Sequence, residues 1–210
     1  MIKHIFFDFN GTIINDVDLC LDLLNEILRR HGKKELSKEE YKDVFKFPVK
    51  QYYIDAGVDL TQDSFEDLSK WFINEYQPKS FECGLYENSV ECFKYLKEKG
   101  YKLYILSASE KNNLLQQTDI YDITKYFEAV LGIDNIYAAS KVVIAQNYIK
   151  EHNINPNEVL FIGDTLHDVE VARTIGAKPM LVSCGHQSKN ILTKGHVLIL
   201  ESIAKLRGIL

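Results

Sequence analysis

Three residues able to do chemistry stand at the ends of short apolar runs. Asp8 follows Ile5-Phe6-Phe7, Ser107 follows Leu103-Tyr104-Ile105-Leu106, and Asp164 follows Val159-Leu160-Phe161-Ile162-Gly163. Runs of this length closed by turn residues suit buried parallel strands, and open α/β sheets bind ligands beyond the carboxyl ends of their strands. If these strands are neighbours, two carboxylates and a hydroxyl converge. Converging carboxylates repel unless a cation lies between them, and all-oxygen donors suit Mg²⁺. Asp168 lies four residues after Asp164, so on a helix both face one side; the first can ligate a metal and the second hold a metal-bound water. Gly11-Thr12 reads as a tight turn whose backbone N–H groups face an anion. Lys141, beside Ser140 at an expected helix start, places a cation where the helix dipole disfavours it by about 0.3–1 kcal/mol, which makes sense if it reaches an anionic site. Taken singly, each has a plain alternative: Asp164 as a helix cap, Ser107 as a turn residue, Asp168 and Lys141 as solvated surface groups.

The elements that must position these residues follow from the pattern. Weaker strand candidates are Ala129-Val130-Leu131, Met180-Leu181-Val182 and Val197-Leu198-Ile199. Helical periodicity covers residues 87–99, stopping at Gly100, then 140–152 behind the N-cap candidate Ser140, and 166–175, stopping at Gly176. Strands alternating with helices predict a Rossmann-like parallel α/β sheet. From about residue 16 to residue 80 the alternation fails. Three apolar stripes run there: Leu19, Leu23, Leu24, Ile27 and Leu28; then Tyr41, Val44 and Phe45; then Phe65, Leu68, Phe72 and Ile73. A single crossover needs one helix rather than four, so this stretch is expected to be an inserted all-helical unit.

Composition narrows the function. With 25 basic and 30 acidic residues the net charge is −5, which gives no footing for sequence-independent nucleic-acid binding. The four cysteines form no C-x-x-C pair and are expected as free thiols of a reducing compartment. The start of the chain lacks the length and flanks of a signal peptide, and no run reaches the roughly 18 apolar residues of a membrane span. A cytoplasmic protein, monomeric or weakly dimeric, with a small anionic substrate and no membrane partner is expected.

The set of residues resembles the haloacid dehalogenase-like superfamily. Asp8-Phe9-Asn10-Gly11-Thr12 resembles its motif I (D-x-D-G-T), Ser107 its motif II, Lys141 its motif III, and Gly163-Asp164-Thr165-Leu166-His167-Asp168 its motif IV (G-D-x-x-x-D). The motifs come in the family's order, and the helical insert follows motif I, where the type 1 cap lies. Length and cap type are similar to those of phosphoglycolate phosphatase-like members. The resemblance implies an α/β core of residues 1–14 and 83–210 with a helical cap at 15–82. It implies a Mg²⁺-dependent phosphatase acting on a small phosphorylated metabolite through an aspartyl-phosphate on Asp8. The metal would be held by Asp8, the backbone carbonyl of Asn10 and Asp164, with Asp168 in support. Ser107 and Lys141 would bind the phosphoryl group; Thr12, Ala108 and His186 are further candidate substrate contacts. In the cap, Phe47-Pro48-Val49-Lys50-Gln51-Tyr52-Tyr53 is a candidate substrate-facing segment, with Lys50 for a substrate carboxylate.

One position departs from the motif. The family's phosphatases carry an acid/base aspartate where this chain has Asn10. An amide exchanges no proton near neutral pH, and general acid–base help is worth roughly 10²–10⁴ in rate. Three readings follow: the leaving group needs no proton, as in an acyl or aryl phosphate; His167 or His186 supplies it; or the protein binds phosphate with little turnover, as a regulatory member or a substituted one. Metal-independent dehalogenation of a 2-halo acid, which also uses the aspartate nucleophile, is disfavoured by the Asp164/Asp168 pair. A phosphomutase is disfavoured because it too needs the missing acid.

Overall fold

A computed structural model describes residues 1–133 and 140–210. At its centre is a six-stranded sheet with every pairing parallel: β1 (His4–Phe7), β2 (Lys102–Glu110), β3 (Ala129–Ile133), β4 (Val159–Gly163), β5 (Lys178–Val182) and β6 (Ile199–Leu200). The spatial order is β3-β2-β1-β4-β5-β6. The chain therefore builds outward from β1 on one side, then returns to build outward from β4 on the other. β1 and β4 flank the topological switch point, where such sheets bind ligands.

The alternation of side chains along β1 explains why the sheet is covered on both faces. Ile5 and Phe7 pack with Phe93, Leu96 and Leu114, from α5 (Ser89–Glu98) and α6 (Lys111–Ile120). Phe6 points the other way, into a cluster with Phe161, Ala145, Ile149 and Val171, from β4, α7 (Lys141–Glu151) and α8 (Leu166–Thr174). Both faces being buried, the strands read as continuous apolar runs rather than alternating ones.

Residues 17–80 form four helices: α1 (Val17–Arg30), α2 (Lys38–Val44), α3 (Val49–Asp55) and α4 (Phe65–Ser80). They have a core of their own, with Leu24, Ile27, Leu28, Tyr41, Tyr52, Tyr53 and Leu68 buried together. The expected α4 stripe is divided in the structure. Phe65 and Leu68 join this core, whereas Phe72 and Ile73 do not and instead line a cavity over the sheet. The two crossings between helical unit and sheet run side by side: the Asn15 amide donates to the Gly84 carbonyl (3.0 Å) and the Tyr86 amide to that of Ile13 (3.0 Å).

The strand and helix expectations agree with the structure to within a few residues, with three differences. β2 continues through Ser107-Ala108-Ser109 to Glu110, with a register shift against β3. α6 has no counterpart in the apolar pattern, because Lys111-Asn112-Asn113 and Gln116-Gln117-Thr118 interrupt it; it starts instead on the Glu110 carboxylate, which accepts from the amides of Asn112 (3.0 Å) and Asn113 (2.9 Å). The last strand is Ile199–Leu200 rather than 197–199. All four cysteines are free, though only Cys92 is fully buried. Among the described residues no helix is long and apolar enough to cross a membrane.

Leu28 is fully buried within the helical unit's core. Leu28→Ala is expected to lower stability by about 2–5 kcal/mol through the cavity it leaves, measured as a reduced urea midpoint.

Candidate active site

Asp8 continues β1 by one residue, its amide donating to the Ile162 carbonyl (2.8 Å), so its side chain emerges beside the end of β4. β4 ends at Gly163, and Asp164 follows at once. A side chain at Gly163 would collide with Asp168, so the strand must end in glycine for the carboxylates to come together. Thr165 caps α8: its hydroxyl (2.7 Å) and amide (3.0 Å) both donate to Asp168 Oδ2. Carboxylate oxygens of Asp8, Asp164 and Asp168, all buried, lie within 4.8 Å of one another. Lys141, the first residue of α7, spans two of them. Its ammonium donates to Asp8 Oδ1 (2.6 Å) and Asp168 Oδ1 (2.8 Å) and is itself buried.

The charges are unevenly matched. Burial, with Asp168 and Asp164 close by, pushes the Asp8 carboxyl up to about 8 despite Lys141. Burial pushes Asp164 up to about 6, against the pull of His186, with Asp168 adding to the rise. Burial acts on Asp168 in the same direction, but the charge and hydrogen bond of Lys141 and the hydrogen bonds from Thr165 outweigh it and hold that carboxyl below its usual range. One lysine thus settles one of three buried acids. The donor set is all oxygen with surplus negative charge, which is what a hard divalent cation needs.

Asp164 is held from two sides. Thr12 donates its hydroxyl to Oδ1 (3.2 Å) and the His186 amide donates to Oδ2 (2.6 Å). Gly11, at φ +69°, and Gly185 crowd this carboxylate so closely that a side chain on either would collide with it. The Thr12 hydroxyl is fully buried against Asp164 and does not line the cavity.

Asn10 lies at the centre of a second network, made with residues that the sequence pattern did not single out. Its amide donates to Asp16 Oδ2 (2.8 Å) and to the Tyr76 hydroxyl (2.6 Å), which in turn donates to Asp16 Oδ2 (2.7 Å). Its Oδ1 accepts from the Ser109 hydroxyl (3.1 Å), and the Ser107 hydroxyl donates to Ser109 Oγ (3.0 Å). Asp16 also accepts from the Gly11 amide (2.8 Å) and lies 3.3 Å from His186 Nε2. Burial raises the Asp16 carboxyl, but His186 and the hydrogen bonds from His186, Asn10 and Tyr76 outweigh it and hold Asp16 below its usual range. The Asn10 amide adds a donor to the ionised Asp16, which a carboxylate at that position would not. Asn10 is therefore built into the structure, tying β1 to α4.

Asp8, Asn10, Asp16, Ser107, Ala108, Ser109, Lys141, Asp164 and His186 line one side of a cavity of about 410 Å³, with side chains of the helical unit opposite. His186 is buried, its Nδ1 2.7 Å from the Tyr41 hydroxyl and its ring stacked on Phe45 at 4.8 Å. His167 lies outside the cavity, 3.4 Å from Glu170 and packed on Phe47, so of the two expected histidines only His186 faces the site. Lys50 follows Val49, which lines the cavity, but one helical step, roughly 100°, turns it outward; it is exposed, with its ammonium 6.0 Å from the Phe65 ring centre. Asp16 escaped notice because it precedes α1 where an N-cap belongs, yet its side chain makes no capping bond.

A parallel α/β sheet with paired acids at its switch point and a helical unit over them defines a class of hydrolase. The profile of the haloacid dehalogenase-like hydrolases matches residues 5–182, and the chain belongs to that family. It is a hydrolase of the phosphatase kind. It is 21% identical to the pyrophosphatase PpaX of Bacillus pumilus over 92% of this chain and 88% of that one. It is 25% identical to a phosphoglycolate phosphatase of Vibrio vulnificus over 98% and 94%. Among solved structures, a haloacid dehalogenase-like hydrolase from Streptococcus pneumoniae superposes with a TM-score of 0.83 at 18% identity, covering 99% of this chain and 98% of that one.

Asn10→Asp sets a carboxylate against Asp16 in place of a donor. It is expected to lower stability at neutral pH by about 1–3 kcal/mol, read as a shift in the denaturant midpoint. Tyr76→Phe, which removes only the hydroxyl, is expected to cost about 1 kcal/mol by the same measurement.

Proposed function

We propose that the protein hydrolyses a small phosphate monoester with the help of Mg²⁺, using Asp8 as the nucleophile. The observation that carries the reading is the buried trio of Asp8, Asp164 and Asp168 with Lys141 between the first and the last. Asp8, Asp164 and the Asn10 carbonyl would hold the ion, and Asp168 would support it by fixing Lys141. Bound there, Mg²⁺ would neutralise charge on the phosphoryl oxygens and on the carboxylates around them.

The chain's own groups account for the rest. Lys141 fixes Asp8 through Oδ1 while the carboxylate borders the cavity, which suits attack on phosphorus along one line. The same ammonium, with the Ser107 hydroxyl, meets the transferring phosphoryl group. Phosphoryl transfer is mostly positioning and charge stabilisation, and a carboxylate nucleophile divides it into two easier displacements. Residues 15–82 act as a cap over the core of residues 1–14 and 83–210, excluding water while the phosphoryl group is on Asp8. The 2-halo acid alternative would leave the Asp164–Asp168–Lys141 arrangement without work to do.

The test is phosphate release from acetyl phosphate and p-nitrophenyl phosphate. Release is expected to need Mg²⁺, to stop in excess EDTA, and to fall to background in Asp8→Asn. Binding of inorganic phosphate without release from either compound would instead favour a phosphate-binding member with little turnover, and halide release in EDTA would favour the dehalogenase.

A further inference from the structure

The cavity over Asp8 has an apolar, aromatic wall. Opposite the carboxylates stand Phe47, Tyr53, Phe65, Phe72, Ile73 and Tyr76. Four of these belong to none of the hydrophobic clusters: Phe47, Phe72, Ile73 and Tyr76. Phe47 is 40% exposed and Ile73 55%, although both belong to the most apolar residue types. Phe72 and Tyr76 hold their rings nearly parallel, 11° apart, at 5.8 Å. Large apolar side chains left out of every core yet gathered around one opening mark a surface that a ligand covers.

The charged groups of the same lining point to the same kind of ligand. Its basic residues, among those described, are Lys141 and His186. Lys141 is engaged by Asp8 and Asp168, and His186 by Asp16 and Tyr41. Glu110 adds a carboxylate to the lining. A substrate carrying a second anion, whether a carboxylate or another phosphate, would find no free cation here and one more acid.

Asn10 supplies the third constraint. It has no proton to give, and both ring nitrogens of His186 are engaged, by Asp16 and Tyr41, which favours a leaving oxygen that can depart as an anion. An alcohol holds its proton about as tightly as water does, whereas a phenol such as the tyrosine side chain releases it far more readily, near 10. Acyl and aryl phosphates both release a stable anion, and the apolar wall favours a leaving group that is itself an aromatic ring. We propose that the substrate is an aryl phosphate: a monoester of a phenolic or heteroaromatic hydroxyl whose ring lies against Phe72, Ile73 and Phe47, with no second anionic group. This rests on the phosphatase reading above. In the first step a bond forms between an Asp8 oxygen and phosphorus while the bond from phosphorus to the aryl oxygen breaks. Its electron pair leaves on the aryloxide, which takes a proton from bulk water. In the second step a water oxygen bonds to phosphorus while the bond from phosphorus to the Asp8 oxygen breaks; its electron pair returns to the Asp8 carboxylate, one of the water's protons stays on the released phosphate and the other passes to bulk water.

The experiment compares 1-naphthyl phosphate and a series of substituted phenyl phosphates with glycerol 2-phosphate, phosphoglycolate, inorganic pyrophosphate and acetyl phosphate. On the aryl assignment, kcat/KM for 1-naphthyl phosphate exceeds that for the alkyl and doubly anionic compounds by about 100-fold. Across the phenyl series it falls steeply as the phenol becomes less acidic. Phe72→Ala lowers the ratio of kcat/KM on 1-naphthyl phosphate to that on acetyl phosphate by about tenfold; a ratio is read so that general damage to the variant cancels. Equal or better turnover of glycerol 2-phosphate, phosphoglycolate or pyrophosphate, a flat response to phenol acidity, or an unchanged ratio in Phe72→Ala would each overturn the aryl assignment while leaving the phosphatase reading intact. Failure of Asp8-dependent release from every compound, acetyl phosphate included, would overturn both.

Discussion

The ammonium of Lys141 lies between Asp8 and Asp168, and the geometry of the site is organised around that buried contact. It joins the end of β1, the start of α7 and the first turn of α8. Burying two carboxylates and an ammonium is costly and gains little stability over an apolar core, so its presence at the sheet's switch point is better explained by chemistry than by folding. The remaining details follow from it. Gly163 has no side chain because Asp168 must come close, Thr165 holds the far oxygen of Asp168, and Thr12 and the His186 amide hold Asp164 in the same cluster.

Asn10 organises the facing half. In the family motif this position supplies a proton; here it supplies hydrogen-bond donors to Asp16 and Tyr76 and an acceptor to Ser109. The amide at position 10 is bonded to residues far away in sequence on both its nitrogen and its oxygen. Position 10 works as a joint between the sheet and α4. The aromatic wall beside it takes over in selecting what enters.

The parts of the site that could be read from sequence were those set by short-range pattern. Asp8 and Asp164 stood out because buried parallel strands are apolar throughout and stop abruptly, and Lys141 because it occupies a helix start that disfavours its charge. The rest was hidden for physical reasons. Asp16 occupies a position where acids normally cap helices, and its inward turn depends on His186, far along the chain. Tyr76 and Phe72 belong to a helix whose apolar stripe looked uniform, and only tertiary packing reveals that one end faces its own core and the other an open space. Lys50 lies outside the cavity lining because a single helical step separates facing the cavity from facing water. α6 carried too few apolar residues for its periodicity to register, and its start depends on one carboxylate.

The two crossings between sheet and helical unit are bonded to each other at Asn15–Gly84 and Tyr86–Ile13, so they form one narrow strap. Gly84, with its positive φ, sits at that point. A second attachment lies at the end of α2, where the Ser188 amide donates to the Lys42 carbonyl (2.9 Å) and the Gln187 side chain to the Phe45 carbonyl (2.8 Å). Parting the helices from the sheet would break these bonds together with those of Asn10 to Tyr76 and the contact of Tyr41 with His186, so access to the cavity is coupled to the loop that carries His186.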